Sequence, residues 1–383
     1  MDSARAPGTA DGEPPFCVAI VGGGPAGCAT ALALARHGVG QVLLIEASDY
    51  QAVRIGESIP PTTARLMDRL GVWSAFVAER HQQCLGSCSA WGADTLGYND
   101  YLLSPLGPGW HLDRARFDAW LAGEAAARGT QMWLRTRLAT CAPGLDGIRL
   151  GVVREDGARQ SVDARFVVDA TGVRSALARR LGARRRVLDD LLCVIQFFAL
   201  PEAAEMSRLT MLEATADGWW YAAKLPNRRV AVAVAADSDF IKQAGLRARG
   251  RFLAALAATR HVAAEVSRCE AAADAPIACA APSFILAPTA GERWLAVGDA
   301  ACAYDPISSQ GIHKALTDGL AAADAIAAVL RGSPTALADY RAHQAARFAR
   351  YCTTRSHFYG LEQRWPASPF WRHRQAQTVL ASA

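Results

Sequence analysis

The sequence predicts an α/β fold, a Rossmann-like parallel sheet into which an antiparallel sheet is inserted. Three observations predict it. Cys17-Val18-Ala19-Ile20-Val21 runs into a glycine turn and a small-residue helix, and an acid closes the strand that follows. Two more apolar runs end in acidic turns much further along, Phe166-Val167-Val168-Asp169 and Trp294-Leu295-Ala296-Val297 before Gly298-Asp299. Residues 188–281 hold one short apolar or aromatic run after another, separated by tight turns.

The first unit carries the most specific pattern. Gly22-Gly23-Gly24-Pro25-Ala26-Gly27 fits G-x-G-x-x-G. Gly22 makes the turn, Gly24 lets backbone N–H groups approach a pyrophosphate, and Gly27 lets the helix pack on its strand. Pro25 and Ala26 open a helix whose N-terminus attracts the anion. Glu46, nineteen residues after Gly27 and directly after Val42-Leu43-Leu44-Ile45, is placed to hold a ribose hydroxyl pair. A glycine turn alone is weak evidence; strand, helix and acid together read as a dinucleotide-binding unit.

Asp113-Arg114-Ala115-Arg116-Phe117-Asp118 reads as an N-capped helix start. The runs Leu192–Phe198, Leu209–Leu212, Trp219–Ala223 and Val230–Val234 read as strands of an antiparallel sheet walling a substrate cavity. Residues 239–261 and 334–355 read as helices. The expected organisation is a nucleotide domain in three pieces, 16–85, 105–187 and 282–346. Residues 86–104 and 188–281 form a substrate domain, 347–383 a C-terminal helical segment, and 1–15 a disordered leader.

Composition fits a soluble enzyme: 383 residues, 51% hydrophobic and 20% charged, with room for one large core. The net charge of +5 comes almost wholly from arginine, since Lys224, Lys242 and Lys314 are the only lysines. Arg179-Arg180 and Arg184-Arg185-Arg186 read as a solvated helix face, so no nucleic-acid surface is expected. Ten cysteines lie without C-x-x-C pairs or zinc spacing, which predicts reduced thiols, a cytoplasmic setting and no metal. No run of eighteen apolar residues predicts a membrane span.

Gly298-Asp299, Asp305-Pro306 and Ser308-Ser309-Gln310-Gly311, together with the first motif, resemble the flavoprotein monooxygenases with one fused FAD fold of the glutathione-reductase type, and their halogenase relatives. The resemblance implies FAD. It puts Asp299 on the ribityl chain and Pro306 beside the ring, with the amides of Gln310, Gly311 and Ile312 near the negative end of reduced flavin, where a helix N-terminus is favourable. Asp169-Ala170-Thr171-Gly172 is similar to the family's Asp-Gly motif but carries Ala-Thr between acid and glycine. That departure leaves the electron donor open between NAD(P)H and a separate flavin reductase. Arg114, in an Arg-x-x-Phe-Asp pattern, is implied as an FAD contact, with a solvent-facing helix residue as the plainer reading.

Gly56-Glu57-Ser58-Ile59-Pro60-Pro61 is similar to the loop that lies along the flavin in tryptophan halogenases, which implies Ser58 at the cofactor. Asp217–Pro226 partly matches their Gly-Trp-x-Trp-x-Ile-Pro motif. Halogenation needs a lysine relay about one helix after the Gly-Glu loop, and no lysine occurs from Met1 to Ala223; arginine is a poor nucleophile that stays protonated. These segments, with Gly109–Arg114 and the tail Phe358–Trp365, also resemble flavoproteins that oxygenate tryptophan in a partner polypeptide during maturation of tryptophylquinone amine oxidases and dehydrogenases. The resemblance implies hydroxylation of an indole with O₂ through a flavin C4a-hydroperoxide. Glu57, Trp220, Glu213 and His313 are the candidate catalytic residues. The alternatives are a halogenase-like enzyme, an FAD-dependent dehydrogenase or reductase of the geranylgeranyl-reductase type, and an FAD-bound chaperone without turnover.

Overall fold

A computed structural model describes residues 16–144 and 147–380, so the leader expected at 1–15 lies outside the described residues. The chain opens with β1 (Phe16–Val21), α1 (Pro25–Arg36) and β2 (Val42–Ile45), the dinucleotide unit read from the sequence. β3 (Gly86–Ala90) follows, then α2 (Arg114–Ala127), β4 (Gln131–Trp133) and β5 (Arg159–Asp169). Four long strands come next: β6 (Leu191–Ala199), β7 (Leu209–Thr215), β8 (Gly218–Lys224) and β9 (Arg229–Asp237). The helices α3 (Arg249–Ala257) and α4 (His261–Glu265) precede β10 (Trp294–Ala296), and α5 (Gly311–Leu330), α6 (Ala336–Leu361) and α7 (Pro369–Leu380) complete the described chain.

The parallel sheet has the order β4-β2-β1-β5-β10. All four β2 residues are buried, as is β1 from Val18 to Val21, because layers cover both faces. α1 packs with α5 over one face. Gly27 permits the close approach of α1 to the first turn: a Cβ there would lie 2.0 Å from the Gly22 carbonyl oxygen.

The second sheet runs β6-β9-β8-β7 antiparallel and continues with β3 paired parallel to β7. Period-two alternation divides its side chains. Val194, Phe198, Trp220, Val232 and Val234 pack with Phe252 of α3 and Val262 of α4. Cys193, Ile195, Trp219, Ala233 and Ala235 face the opposite way, onto Tyr359 of α6 and Phe370 and Trp371 of α7. The tail is thus a wedge between the two sheets. α6 is one unbroken helix across the expected boundary at 346/347: Tyr340 donates to the Ala296 carbonyl (2.7 Å), and nineteen positions on Tyr359 reaches the inserted sheet.

Candidate active site

The cofactor motifs converge although they are spread over nearly 300 residues. Gly22 adopts φ +111°, and Gly24 is the N-cap of α1, which carries no side-chain cap. Pro25 and Ala26 form the first turn. Nothing lies within 4 Å of where a Cβ on Gly24 would sit, so this helix N-terminus has open space in front of it. Gly298 (φ +59°) meets the same turn; a Cβ on it would stand 2.6 Å from the Ala26 methyl. The Gly-Asp and glycine-turn motifs are therefore in contact. Uncapped N–H groups, open space and a facing acid suit a dinucleotide's phosphates and sugar.

Glu46 is buried and ties the turn together. Its Oε2 accepts from Gly23 N–H (2.6 Å), and its Oε1 from Ser48 N–H (2.9 Å) and Oγ (2.6 Å). Arg54 adds an ion pair to Glu46 (3.2 Å) and another to Asp118 (3.3 Å). Arg114 is not a solvent-facing helix residue. Its guanidinium makes a fork with the fully buried Asp118, Nε to Oδ1 3.2 Å and Nη2 to Oδ2 3.1 Å, while Nη1 donates to the carbonyls of Ile55 and Gly56 (2.9 Å to Gly56). The Arg-x-x-Phe-Asp pattern thus puts an i,i+4 clamp on the loop that carries Glu57 and Ser58. Burial works against the Arg114 charge, but Asp118 outweighs it and holds its pKa above the usual value.

Ser58 Oγ and Tyr221 OH are 2.9 Å apart, joining the Gly-Glu-Ser loop to the inserted sheet. Beside them Glu57 lines a small cleft between the two regions, with Arg54, Arg114, Phe197, Pro226 and Arg229. Glu57 is 6% exposed, and among the described residues its Oε1 has no hydrogen-bond partner. Burial raises its pKa, with Arg114 opposing. The Arg229 guanidinium stacks 4.5 Å above the Phe197 ring at the same cleft.

Asp305 caps the turn Pro306–Ser308, accepting from Ile307 N–H at 3.0 Å. Its other oxygen accepts from Tyr359 OH (2.6 Å), and Tyr359 OH in turn accepts from Trp219 Nε1 (3.2 Å). Inserted sheet, tail and the turn holding Pro306 are therefore one hydrogen-bonded unit. Gln310 is the N-cap residue of α5 and makes no side-chain cap, so the amides of Gly311 and Ile312 open that helix unshielded. His313 Nδ1 lies 3.2 Å from Thr63 Oγ1, and burial lowers its pKa. The Asp299 side chain, 44% exposed, pairs with Lys314.

Three expected site residues have side chains engaged by the protein itself. Trp220 points to the outer face and packs on Phe252, ring centroids 5.2 Å apart, because alternation along β8 turns Trp219 and Tyr221 inward. Glu213 does not face the cleft: its carboxylate accepts N–H bonds from Arg260 (2.7 Å), His261 (2.8 Å) and Val262 (2.8 Å), capping α4. Asp169 is fully buried, and its oxygens accept from Thr171 N–H (2.9 Å), Thr171 Oγ1 (2.6 Å) and Ala178 N–H (2.7 Å). It shapes the turn that follows β5. Arg54, Asp118 and Tyr359 join the candidate site without having been singled out by the motifs.

The family model for an FAD binding domain matches residues 16–356. The chain belongs to this FAD-binding family. LodB of Marinomonas mediterranea, described as an FAD-dependent oxidoreductase, is 30% identical over 368 residues, covering 95% of this chain and 98% of LodB. The flavin-dependent halogenase CmlS superposes with a TM-score of 0.84 at 27% identity, over 94% of this chain and 67% of that one. The peptidyl tryptophan dihydroxylase QhpG, essential for tryptophylquinone cofactor biogenesis, shares the fold with a TM-score of 0.72 at 24% identity, over 94% and 79% of the two chains. Further relatives are flavin-dependent halogenases, of which the chain spans about two thirds. The protein is an FAD-dependent oxidoreductase, and its cofactor is FAD. Among the described residues no helix is long and apolar enough to cross a membrane.

Proposed function

We propose that this flavoenzyme hydroxylates an electron-rich aromatic ring, an indole carried by a tryptophan of a partner polypeptide, with O₂ as oxygen source. The observation that carries the reading is where the three lysines sit. Lys242 lies in a short helix after β9, outside the cleft. Lys224 ends β8, 3.8 Å from Glu205, and its carbonyl lies 2.9 Å from His111 Nδ1. Lys314 is buried and held as an ammonium: burial opposes its charge, but Asp318 and Asp299 outweigh this and raise its pKa. A protonated, ion-paired amine has no lone pair with which to relay an oxidised halogen. The cleft offers Glu57, arginines and apolar walls instead.

The α1 turn, Glu46, Arg114, Asp299 and the start of α5 would hold FAD, which would supply the activation of O₂ when bound and reduced. The chain's own residues do the rest. The Arg114–Asp118 clamp fixes the Gly-Glu-Ser loop, and the bond between Ser58 and Tyr221 closes it against the inserted sheet, excluding water. Glu57 Oε1 accepts the indole N–H and orients the ring. As oxygen replaces hydrogen on the ring, the released proton goes to the Glu57 carboxylate, whose burial-raised pKa makes it a stronger base than a surface glutamate. QhpG gives the fold-level precedent for a tryptophan in a polypeptide, and LodB's coverage of nearly the whole chain supports an oxidoreductase.

The test supplies reduced FAD from a separate flavin reductase and NADH. It offers N-acetyltryptophan amide and tryptophan-bearing peptides, and follows product mass with and without chloride and bromide. Oxygenated product at equal rates in all three conditions is the expected result. Halogenated product that requires the halide would establish the halogenase reading, and anaerobic reduction of oxidised FAD by the substrate, in the absence of NADH and the reductase, would establish a dehydrogenase.

A further inference from the structure

Lys314 lies in the first turn of α5 and is 2% exposed, an unusual burial for a lysine. Its Nζ stands 3.3 Å from Asp299 Oδ1 and 3.4 Å from Asp318 Oδ2, and 5.1 Å over the Tyr304 ring. Asp318 is fully buried and has other partners: Arg347 Nη1 donates to its Oδ1, as does Gln344 Nε2 at 3.3 Å. Arg347 balances Asp318, which leaves the Lys314 charge to Asp299. Lys314 is thus anchored on its inner side and holds, on its outer side, the acid of the Gly-Asp motif. The nearby His313 is kept neutral by burial and supplies no further charge.

We propose that Lys314 is a positioning residue for the cofactor, fixing the Asp299 carboxylate and biasing the site toward the reduced, anionic form of FAD. The bias has a simple origin. Reduction adds negative charge to the flavin, and the start of α5 already presents unshielded N–H groups there. Asp299 by itself opposes that charge. Lys314 cancels it with a full positive charge in the same turn of helix, from a buried position. Without the ammonium, the cluster of Asp299, Asp318 and Arg347 changes from neutral to one excess negative charge. The inference rests on FAD at Asp299 but not on the aromatic substrate.

The experiment measures the midpoint potential and FAD dissociation constant of the holoenzyme for wild type, Lys314→Met, Lys314→Gln and Lys314→Arg. No substrate is required, so the result is independent of the hydroxylation reading. Lys314→Met and Lys314→Gln are expected to lose about tenfold in the preference for reduced over oxidised FAD, about 30 mV more negative for this two-electron couple. Lys314→Arg is expected to stay near wild type. A variant that falls in thermal stability while its potential stays unchanged would show a purely structural lysine and overturn the proposal. Lys314→Gln keeps the test open should the Lys314→Met chain fail to fold. Asp299→Ala reports the premise separately: unchanged FAD affinity there would remove Asp299 from the cofactor.

Discussion

Tyr359→Phe removes one oxygen atom from the point where tail, inserted sheet and flavin-side turn meet. The side chain is fully buried, so the hydroxyl's partners have no water to turn to. The bond to Asp305 Oδ2 at 2.6 Å has a charged acceptor and is worth about 1.5–3 kcal/mol. Trp219 Nε1 loses its acceptor at 3.2 Å, and an unsatisfied buried donor costs about 1–3 kcal/mol. The ring remains, so packing against Phe370 and Trp371 is kept. The two losses share one hydroxyl and are not fully additive, which gives about 3 kcal/mol for the pair. Urea denaturation of the apoprotein should therefore show a lower midpoint at an unchanged slope. Burial raises the Asp305 pKa and the Tyr359 bond lowers it, so that bond stabilises the ionised form. The deficit should accordingly shrink as the pH falls through the Asp305 value and the carboxyl becomes neutral. A loss below about 0.5 kcal/mol, or one that grows toward acid pH, would refute this hydrogen-bonded unit.

Gly24→Ala and Gly27→Ala should separate binding from folding. The first methyl enters open space before α1, leaving apoprotein stability near wild type while FAD affinity falls; the second lands on the Gly22 carbonyl and should lower the melting temperature of the apoprotein. Differential scanning fluorimetry with and without FAD reads both. Glu213→Ala should cost about 2 kcal/mol of stability, at the upper end for a lost cap, with FAD affinity and potential unchanged; a selective loss of turnover would restore its catalytic candidacy. His81 and His111 are buried, and burial lowers each pKa from 6.5 to about 4. The unfolded chain binds their protons first, so stability is intact above pH 6.5 and falls as the pH drops toward 4, by about 3 kcal/mol per histidine. His111→Gln should flatten that part of the curve.

The nucleotide unit was legible because its signals are local. Strand, glycine turn, small-residue helix and Glu46 all lie within about thirty residues, each with a steric or electrostatic reason that depends on near neighbours. The inserted sheet was legible as strands, but not which face of each strand points inward. Trp219 and Trp220 are equally apolar, and only the packing of α3 on one face and the tail on the other distinguishes them. Glu213 reads as a free acid because its three donors come from residues 260–262, a pairing with no sequence signature. Arg114 was legible as a site candidate from its motif; its fork with Asp118 and its grip on Gly56 were not. Tyr359 lies 54 residues from its acceptor and 140 from its donor. Non-local hydrogen bonds of this kind carry the cavity's shape, which explains why the cofactor was easier to read than the substrate side.

Reduced holoenzyme mixed with oxygen-18 gas in the presence of a tryptophan-bearing polypeptide, with products read by peptide mass spectrometry, tests the central claim most directly. One or more oxygen-18 atoms on the indole ring, independent of halide and lost in Glu57→Gln while FAD binding is kept, are the expected result. Unlabelled product, or a halogen on the ring in place of oxygen, would contradict it.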